Sequence, residues 1–249
     1  MNGERFMDIK ECGMQLSRYI AHAGICSRRK AEELIASGAV SVNGAAVVEW
    51  AYKVAPKDKV EYQGRLVVPE EPVYIVLNKP SGVVASVMEE GSQTVLDLVA
   101  LGKRIYPVGR LESSASGVLL MTNDGDLTKH LVHSPDCESK IERRYKVSLT
   151  RRLDRRAQNA IMDGVRLPEG LVKPEGLRPV FGKTNDWVVT FYGDQSRFMR
   201  RMFHRIGHVV KHFECVGFAG LTTEGLDRGQ WRALRSDEVE LIKGLLLKK

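Results

Sequence analysis

The sequence predicts an α+β fold in two domains: a small helix–helix–strand module, then a larger domain of interleaved strands and helices. Three observations carry this. Residues 14–68 pass from helical periodicity to short alternating runs. The stretch Pro69–Pro72 (PEEP) interrupts any regular element. Beyond it, strand-like and helical runs mix without strict βαβα alternation, which favours α+β over a doubly wound parallel sheet. At 249 residues the chain can bury one sizeable core and a satellite. The expected divisions are a leader over 1–13, a first domain over 14–68, a linker over 69–73 and a second domain over 74–249.

The elements follow in order. The leader is polar and aperiodic. Leu16, Tyr19, Ile20 and Ala23 share one helical face, and Gly24 stops that helix. Ser27 then stands as N-cap to a second helix striped by Ala31, Leu34 and Ile35 and ended by Gly38. The run VSVNGAAVV alternates about Asn43-Gly44, a hairpin turn, and DKVEYQGRLVV repeats the strand pattern. In the second domain YIVLNKP, GVVASV, GVLLMTN, RRYKVSL and DWVVTFYG read as strands. QTVLDLVAL, DGDLTKHLVH, RRLDRRAQNAIMDG and QSRFMRRMFHRIG read as helices. The last helix, SDEVELIKGLLLKK, is expected to start at a Ser236 cap, with acids in its first turn and lysines at its end as the helix dipole prefers.

Composition narrows the function classes. A formal charge of +7 and a pI near 9.2 favour a polyanionic partner. Cys12, Cys26, Cys137 and Cys215 form no C-x-x-C pair, so neither a disulfide framework nor a zinc site is expected, and a reducing cytoplasm is the expected compartment. The opening residues lack a signal-peptide core, and no eighteen apolar residues run together as a membrane span requires. His204, His208 and His212 recur every four residues, but Gly207 interrupts the helix and no cysteine or acid cluster completes a metal site. His208 and His212 are instead expected on one face of a strand.

Two constellations carry chemistry. Arg28, Arg29 and Lys30 open the second helix, where cationic side chains and backbone N–H groups can face one anion; a phosphate backbone suits this better than a base edge. By itself such a run also fits a solvated helix start. The segment LSRYIAHAGICSRRKAEELIASGAVSVNG, however, closely resembles the ribosomal protein S4-like RNA-binding domain, and the resemblance implies RNA contacts at Arg18, Arg28, Arg29 and Lys30. In the second domain, YPVGRLESSASGVLLMTNDGDL places Arg110 and Glu112 on a Gly-flanked turn before an apolar strand. A carboxylate there can be held rigidly yet reach a cleft. An arginine and an acid two apart are also commonly a surface pair.

That run resembles the signature G-R-L-D-x-x-[ST]-x-G-L-L-L-x-T-N-D-G of the RsuA-like ribosomal RNA pseudouridine synthases, and Leu77–Val84 resembles their L-N-K-P-x-G-V-V. ERRYKV, SRFMRRMFHRIGH and GLDRGQWRAL match the family's later motifs in order. The resemblance covers Gln15 to about Glu240. It implies a mixed, mainly antiparallel catalytic sheet, no cofactor and no metal, and a substrate of ribosomal RNA or a pre-ribosomal particle met by a monomer. The catalytic residues it implies are Glu112, Tyr145 and Arg200: the tyrosine ring stacks on the uracil, and Arg200 pairs with the carboxylate, orienting it and favouring its ionised form. It adds Lys79, Arg110, Arg143, Arg197 and Arg201 as RNA contacts.

Four positions depart from the pattern. Glu112 replaces aspartate, Ala115 replaces Ser or Thr, Ser116 stands where an acid is common, and Phe198 replaces glutamine. The added methylene moves the carboxylate by about 1 Å, a shift that can cost roughly 100-fold in rate unless the surroundings have moved with it. Two functions therefore stand: a synthase that isomerises a specific uridine in ribosomal RNA, and a catalytically impaired relative that binds ribosomal RNA during ribosome assembly.

Overall fold

The computed structural model describes residues 13–133, 141–193 and 198–247. The leader up to residue 12, Cys12, Cys137, Arg197, the start of the QSRFMRR run and the terminal lysines lie outside them. Two compact units are present, one of Met1–Pro72 with Gly102–Arg104, the other of Val73–Leu101 with Ile105–Lys249. Each has its own apolar core.

In the first unit β1 (Met14–Gln15) leads into α1 (Leu16–His22) and α2 (Arg28–Ala36). The expected cap is in place: the Ser27 hydroxyl accepts from the Lys30 N–H at 3.2 Å. Leu16, Ile20, Ala31 and Ile35 face inward and are fully buried, together with Val40 and Val60. Strands β2 (Val40–Val42), β3 (Ala45–Ala46), β5 (Val60–Tyr62) and β6 (Arg65–Leu66) form a sheet in the order β3-β2-β5-β6, while β4 (Lys53–Val54) pairs with β1. Asn43 and Gly44, at φ 53° and 81°, make the tight turn that the sequence marks.

The second unit is built on an eight-stranded sheet ordered β13-β14-β10-β15-β9-β7-β16, with β8 added on β9. Its strands are β7 (Tyr74–Lys79), β8 (Tyr106–Pro107), β9 (Ser116–Thr122), β10 (Glu142–Leu149), β13 (Gly176–Pro179), β14 (Asp186–Tyr192), β15 (Val210–Phe218) and β16 (Trp231–Ala233). A separate hairpin joins β11 (Val165–Leu167) to β12 (Gly170–Val172). The helices are α3 (Gly125–His133), α4 (Arg155–Asp163), α5 (Met199–Arg205) and α6 (Ser236–Leu247). Only β9 and β15 run parallel; every other neighbouring pair in this sheet is antiparallel. At that junction Gly117, at φ +109°, lies so close to β15 that a Cβ would collide with the Cys215 carbonyl.

Several expectations are corrected. GVVASV is not a strand: only Val84 bridges, to Thr94. QTVLDLVAL shortens to a 3-10 turn at Val95–Leu98, started at Thr94, whose N–H donates to the Asp97 carboxylate at 2.7 Å, and ended at Val99, which is extended. The RRLDRRAQ helix begins at Arg155, since the Asp154 carboxylate accepts from the Ala157 N–H at 2.7 Å. Ser236 is inside α6, and the cap work is done by Glu238, which accepts from the Arg235 N–H at 2.9 Å. His208 lies before β15 and is buried, its N–H donating to the Phe203 carbonyl at 2.9 Å, while His212 is in β15 and exposed beside a register shift opposite Ser148 and Leu149, so the two share no strand face. Among the described residues no helix is long and apolar enough to cross a membrane.

Candidate active site

The turn Arg110–Ala115 delivers its side chains just ahead of β9, where β9 meets β15 in parallel. Buried Leu111 and Ala115 anchor it, leaving Glu112, Ser113 and Ser114 exposed between them. Ala115 N–H donates to the Glu112 carbonyl at 3.0 Å and closes the turn. A second loop, after β7, braces it: Gly82 N–H donates to the Ser113 carbonyl at 2.7 Å and Ser81 Oγ to the Ser114 carbonyl at 3.0 Å. Lys79 ties both loops together. Its Nζ donates to the carbonyls of Val83 and Ala115 at 2.7 Å each, Pro80 at 3.0 Å and Ser113 at 3.2 Å. Burial pushes this ammonium down to about 8, while four carbonyl oxygens, which can only accept, surround it.

Arg200, in the first turn of α5, reaches the turn from the far side. Its Nε lies 3.2 Å from Glu112 Oε2, one terminal nitrogen donates to Ser114 Oγ at 3.2 Å, and the other to the Val210 carbonyl at 3.1 Å. Ser114 Oγ is 3.4 Å from the same Glu112 oxygen. The guanidinium stands 5.9 Å from the centroid of Phe213. Phe213 in turn stacks on Tyr145 at 4.9 Å and 23°. The chain Glu112–Arg200–Phe213–Tyr145 thus links the turn, α5, β15 and β10. With both partners more than a third exposed, the ion pair adds under about 1 kcal/mol to stability. Its effect is to aim one carboxylate oxygen. Beside the turn a small recess is lined by Arg110, Leu111, Arg143, Tyr145, Cys215 and Phe218. Burial pushes the Cys215 thiol up to about 12, so it is no nucleophile at neutral pH.

The structure brings Glu112, Arg200 and Tyr145 into one site, and Arg110 to its rim. Lys79 is a correction: it is fully buried and spends its ammonium on backbone carbonyls, so it holds the loops rather than meeting RNA. Arg143 is likewise buried, with its guanidinium 5.3 Å from the Phe218 centroid, and it lines the recess. Arg201 is exposed but pairs with Glu169 and lies over Phe198. Arg28, Arg29 and Lys30 are exposed on the first turn of α2, and Arg18 is half-buried. Among the described residues no group of three His, Cys, Asp or Glu could hold a metal.

Sequence reasoning missed Ser114 and Phe213. Ser114 falls at an unspecified position of the signature, and Phe213 looks like any apolar residue of a strand. The role of Lys79 had a readable sign, because it closes the run YIVLN of a strand whose six residues are all buried.

Comparison with known proteins agrees with this layout. Residues 73–234 match the model of the family described as RNA pseudouridylate synthase, and residues 14–60 match the S4 domain. The ribosomal large subunit pseudouridine synthase B of Bacillus subtilis is 38% identical over 237 residues, which cover 93% of this chain and 96% of that protein. The dual-specificity RNA pseudouridine synthase RluF of Escherichia coli K12 is 30% identical over 241 residues, covering 94% of this chain and 80% of that one. A solved structure of a pseudouridylate synthase shares the fold, with a TM-score of 0.65 at 24% identity over 92% of this chain and 99% of that one.

Proposed function

This chain belongs to the RNA pseudouridylate synthase family, and on that premise we propose that it isomerises one uridine of ribosomal RNA, with Glu112 as its catalytic carboxylate. The observation that supports Glu112 is the contact with Arg200, which points a glutamate oxygen into the site although the side chain is one methylene longer than aspartate. Arg200 and Ser114 both adjoin that oxygen, so the longer side chain has its own supports. In this reading the uridine leaves its stack, the N1–C1′ bond breaks, the base turns and C5 bonds to C1′. N1 gains a proton and the hydrogen on C5 is lost to solvent, so composition is conserved. Glu112 acts at the sugar or base. Tyr145 and the recess behind it receive the uracil, and the recess must open for the ring to be reached, since Tyr145 is 3% exposed. Unstacking a nucleotide costs a few kcal/mol, which stacking and cationic contacts recover.

Residues 14–68 serve here as the RNA-binding domain, through Arg18, Arg28, Arg29 and Lys30, joined by the linker 69–73 to a catalytic domain over 74–249. Arg110 and Arg201 add contacts near the site. The protein works as a cytoplasmic monomer without metal or cofactor. The name of the Bacillus subtilis relative puts large-subunit RNA first among the substrates to try. The test is pseudouridine mapping, by carbodiimide-dependent primer-extension stops, of ribosomal RNA from cells lacking the gene, complemented with wild type or Glu112→Ala. One stop should vanish on deletion and return with wild type only. If no position changes while the protein still binds ribosomal RNA, a binding factor without chemistry replaces the enzyme.

A further inference from the structure

One end of the large sheet carries a surface that the catalytic reading leaves unused. There the β13–β14 hairpin turns through Val180–Lys183, closed by Lys183 N–H to the Val180 carbonyl at 3.1 Å, with Gly182 at φ +71°. Phe181 takes the corner of this turn and is 103% exposed, more than any other large apolar side chain described. A phenylalanine there gains nothing from folding and exposes its whole ring to water. The hairpin base, Asn185, accepts from the Leu149 N–H at 2.9 Å, so the chain leaving β10 comes out beside it. That chain carries Arg151, Arg152, Arg155 and Arg156, all exposed. Lys183, next to Phe181, is exposed as well. The neighbouring acids are engaged: Asp154 caps α4 and Asp186 pairs with Lys146 at 3.7 Å. This surface continues to the candidate site, because Thr150 N–H donates to the Val209 carbonyl, next to the Val210 carbonyl that Arg200 holds.

We propose that this sheet end is a second RNA-docking surface, in which the arginines before and within α4 grip backbone phosphates and Phe181 stacks on an unpaired base. The inference rests on the ribosomal RNA reading above. Charge selects RNA over a protein partner: Arg151, Arg152, Arg155, Arg156 and Lys183 outnumber Asp154 and Asp186, so the surface repels another basic surface and attracts phosphate. An exposed aromatic beside cations is what sequence-tolerant base stacking uses. Arg151 also donates to the Gly207 carbonyl at 2.7 Å, which fixes the loop and makes it the residue to leave intact in a test.

The experiment uses the full chain and transcribed large-subunit ribosomal RNA, with affinity measured by filter binding across a series of KCl concentrations. Replacing Arg152, Arg155 and Arg156 by Gln should weaken binding and flatten the slope of log affinity against log salt by about 2. Phe181→Ala should weaken binding roughly five- to a hundredfold with the slope unchanged. Circular dichroism melts identify a misfolded variant, and Phe181→Trp, which keeps the stacking face, should restore affinity. Unchanged affinity and slope in both loss variants overturn the inference. So does a Phe181→Ala protein that binds RNA normally but no longer sediments with ribosomal particles, which would assign the hairpin to a protein. Pseudouridine formation by wild type is scored in parallel: its absence defeats the functional reading, whereas wild-type activity with unchanged binding by the variants defeats only this inference.

Discussion

Replacing Lys79 by methionine keeps most of the length of the side chain and removes its four hydrogen bonds. Two of the acceptors, the Val83 and Ala115 carbonyls, are bonded at 2.7 Å in buried surroundings. The Ser113 carbonyl keeps the Gly82 N–H, and the Pro80 contact is only partly buried. A buried polar group left without a partner costs about 1–3 kcal/mol, so two carbonyls cost about 2–6 kcal/mol. Part of this is returned because an ammonium is no longer taken out of water, a penalty of several kcal/mol in itself. The two terms largely offset, so the net expectation is a loss of at most about 3 kcal/mol, which for a unit of this size lowers the melting temperature by at most roughly 10 °C. Activity should fall further than stability. The turn bearing Glu112 loses its tie to the loop after β7, and a displacement of about 1 Å is enough to cost roughly 100-fold in rate. Thermal denaturation and single-turnover kinetics on the same preparation separate the two effects. An Lys79→Met protein that melts like wild type but binds RNA with a flatter salt dependence would refute the reasoning, because that is how a surface phosphate contact behaves.

Gly117→Ala should prevent folding or cost more than about 4 kcal/mol, since the new Cβ meets the Cys215 carbonyl at a positive φ; soluble yield and urea denaturation measure it. Arg200→Met should abolish most activity, by roughly 100-fold or more, while changing stability by less than about 1 kcal/mol, because the pair with Glu112 is exposed; a chemical-denaturation curve beside the rate assay checks both. Glu238 supplies the pH prediction. Its hydrogen bonds from Arg232, at 2.6 and 2.7 Å, hold its carboxyl down at about 2. A carboxyl depressed in the folded state stabilises above its ordinary value near 4.5, and that stability is lost as pH falls towards 2. Glu238→Gln should therefore cost about 2 kcal/mol at pH 7, and the gap to wild type should close between about pH 4.5 and 2 in urea titrations.

Much of this molecule was legible in its sequence, for local reasons. The Ser27 cap, the Asn43-Gly44 turn and the apolar stripe of Ala31 and Ile35 are set by residues within a few positions of one another, and all three are present. The α+β class followed from the irregular order of strands and helices, which the sheet order bears out. What escaped is non-local. The run QTVLDLVAL is interrupted after a 3-10 turn at Val95–Leu98, where Val99 turns extended, and His208 precedes β15 while the bulge opposite Ser148 leaves His212 exposed. At the site, Glu112, Tyr145 and Arg200 could be named because the resemblance to the family's motifs carries their roles onto these positions. Ser114 and Phe213 could not, since their partners lie 86 residues from Ser114 and on another strand from Phe213. The resemblance set Lys79 among the RNA contacts, but a lysine at the end of a fully buried strand answers first to the carbonyls around it.

The central claim is that Glu112 does the chemistry that aspartate does elsewhere in the family. Bond formation at C5 expels the hydrogen there, so tritium release from ribosomal RNA transcribed with uridine labelled at C5 follows the reaction directly. Wild type should release tritium stoichiometrically with one uridine per RNA, and Glu112→Ala should stay at background while binding the RNA as tightly. Release by Glu112→Ala at the wild-type rate would contradict the account.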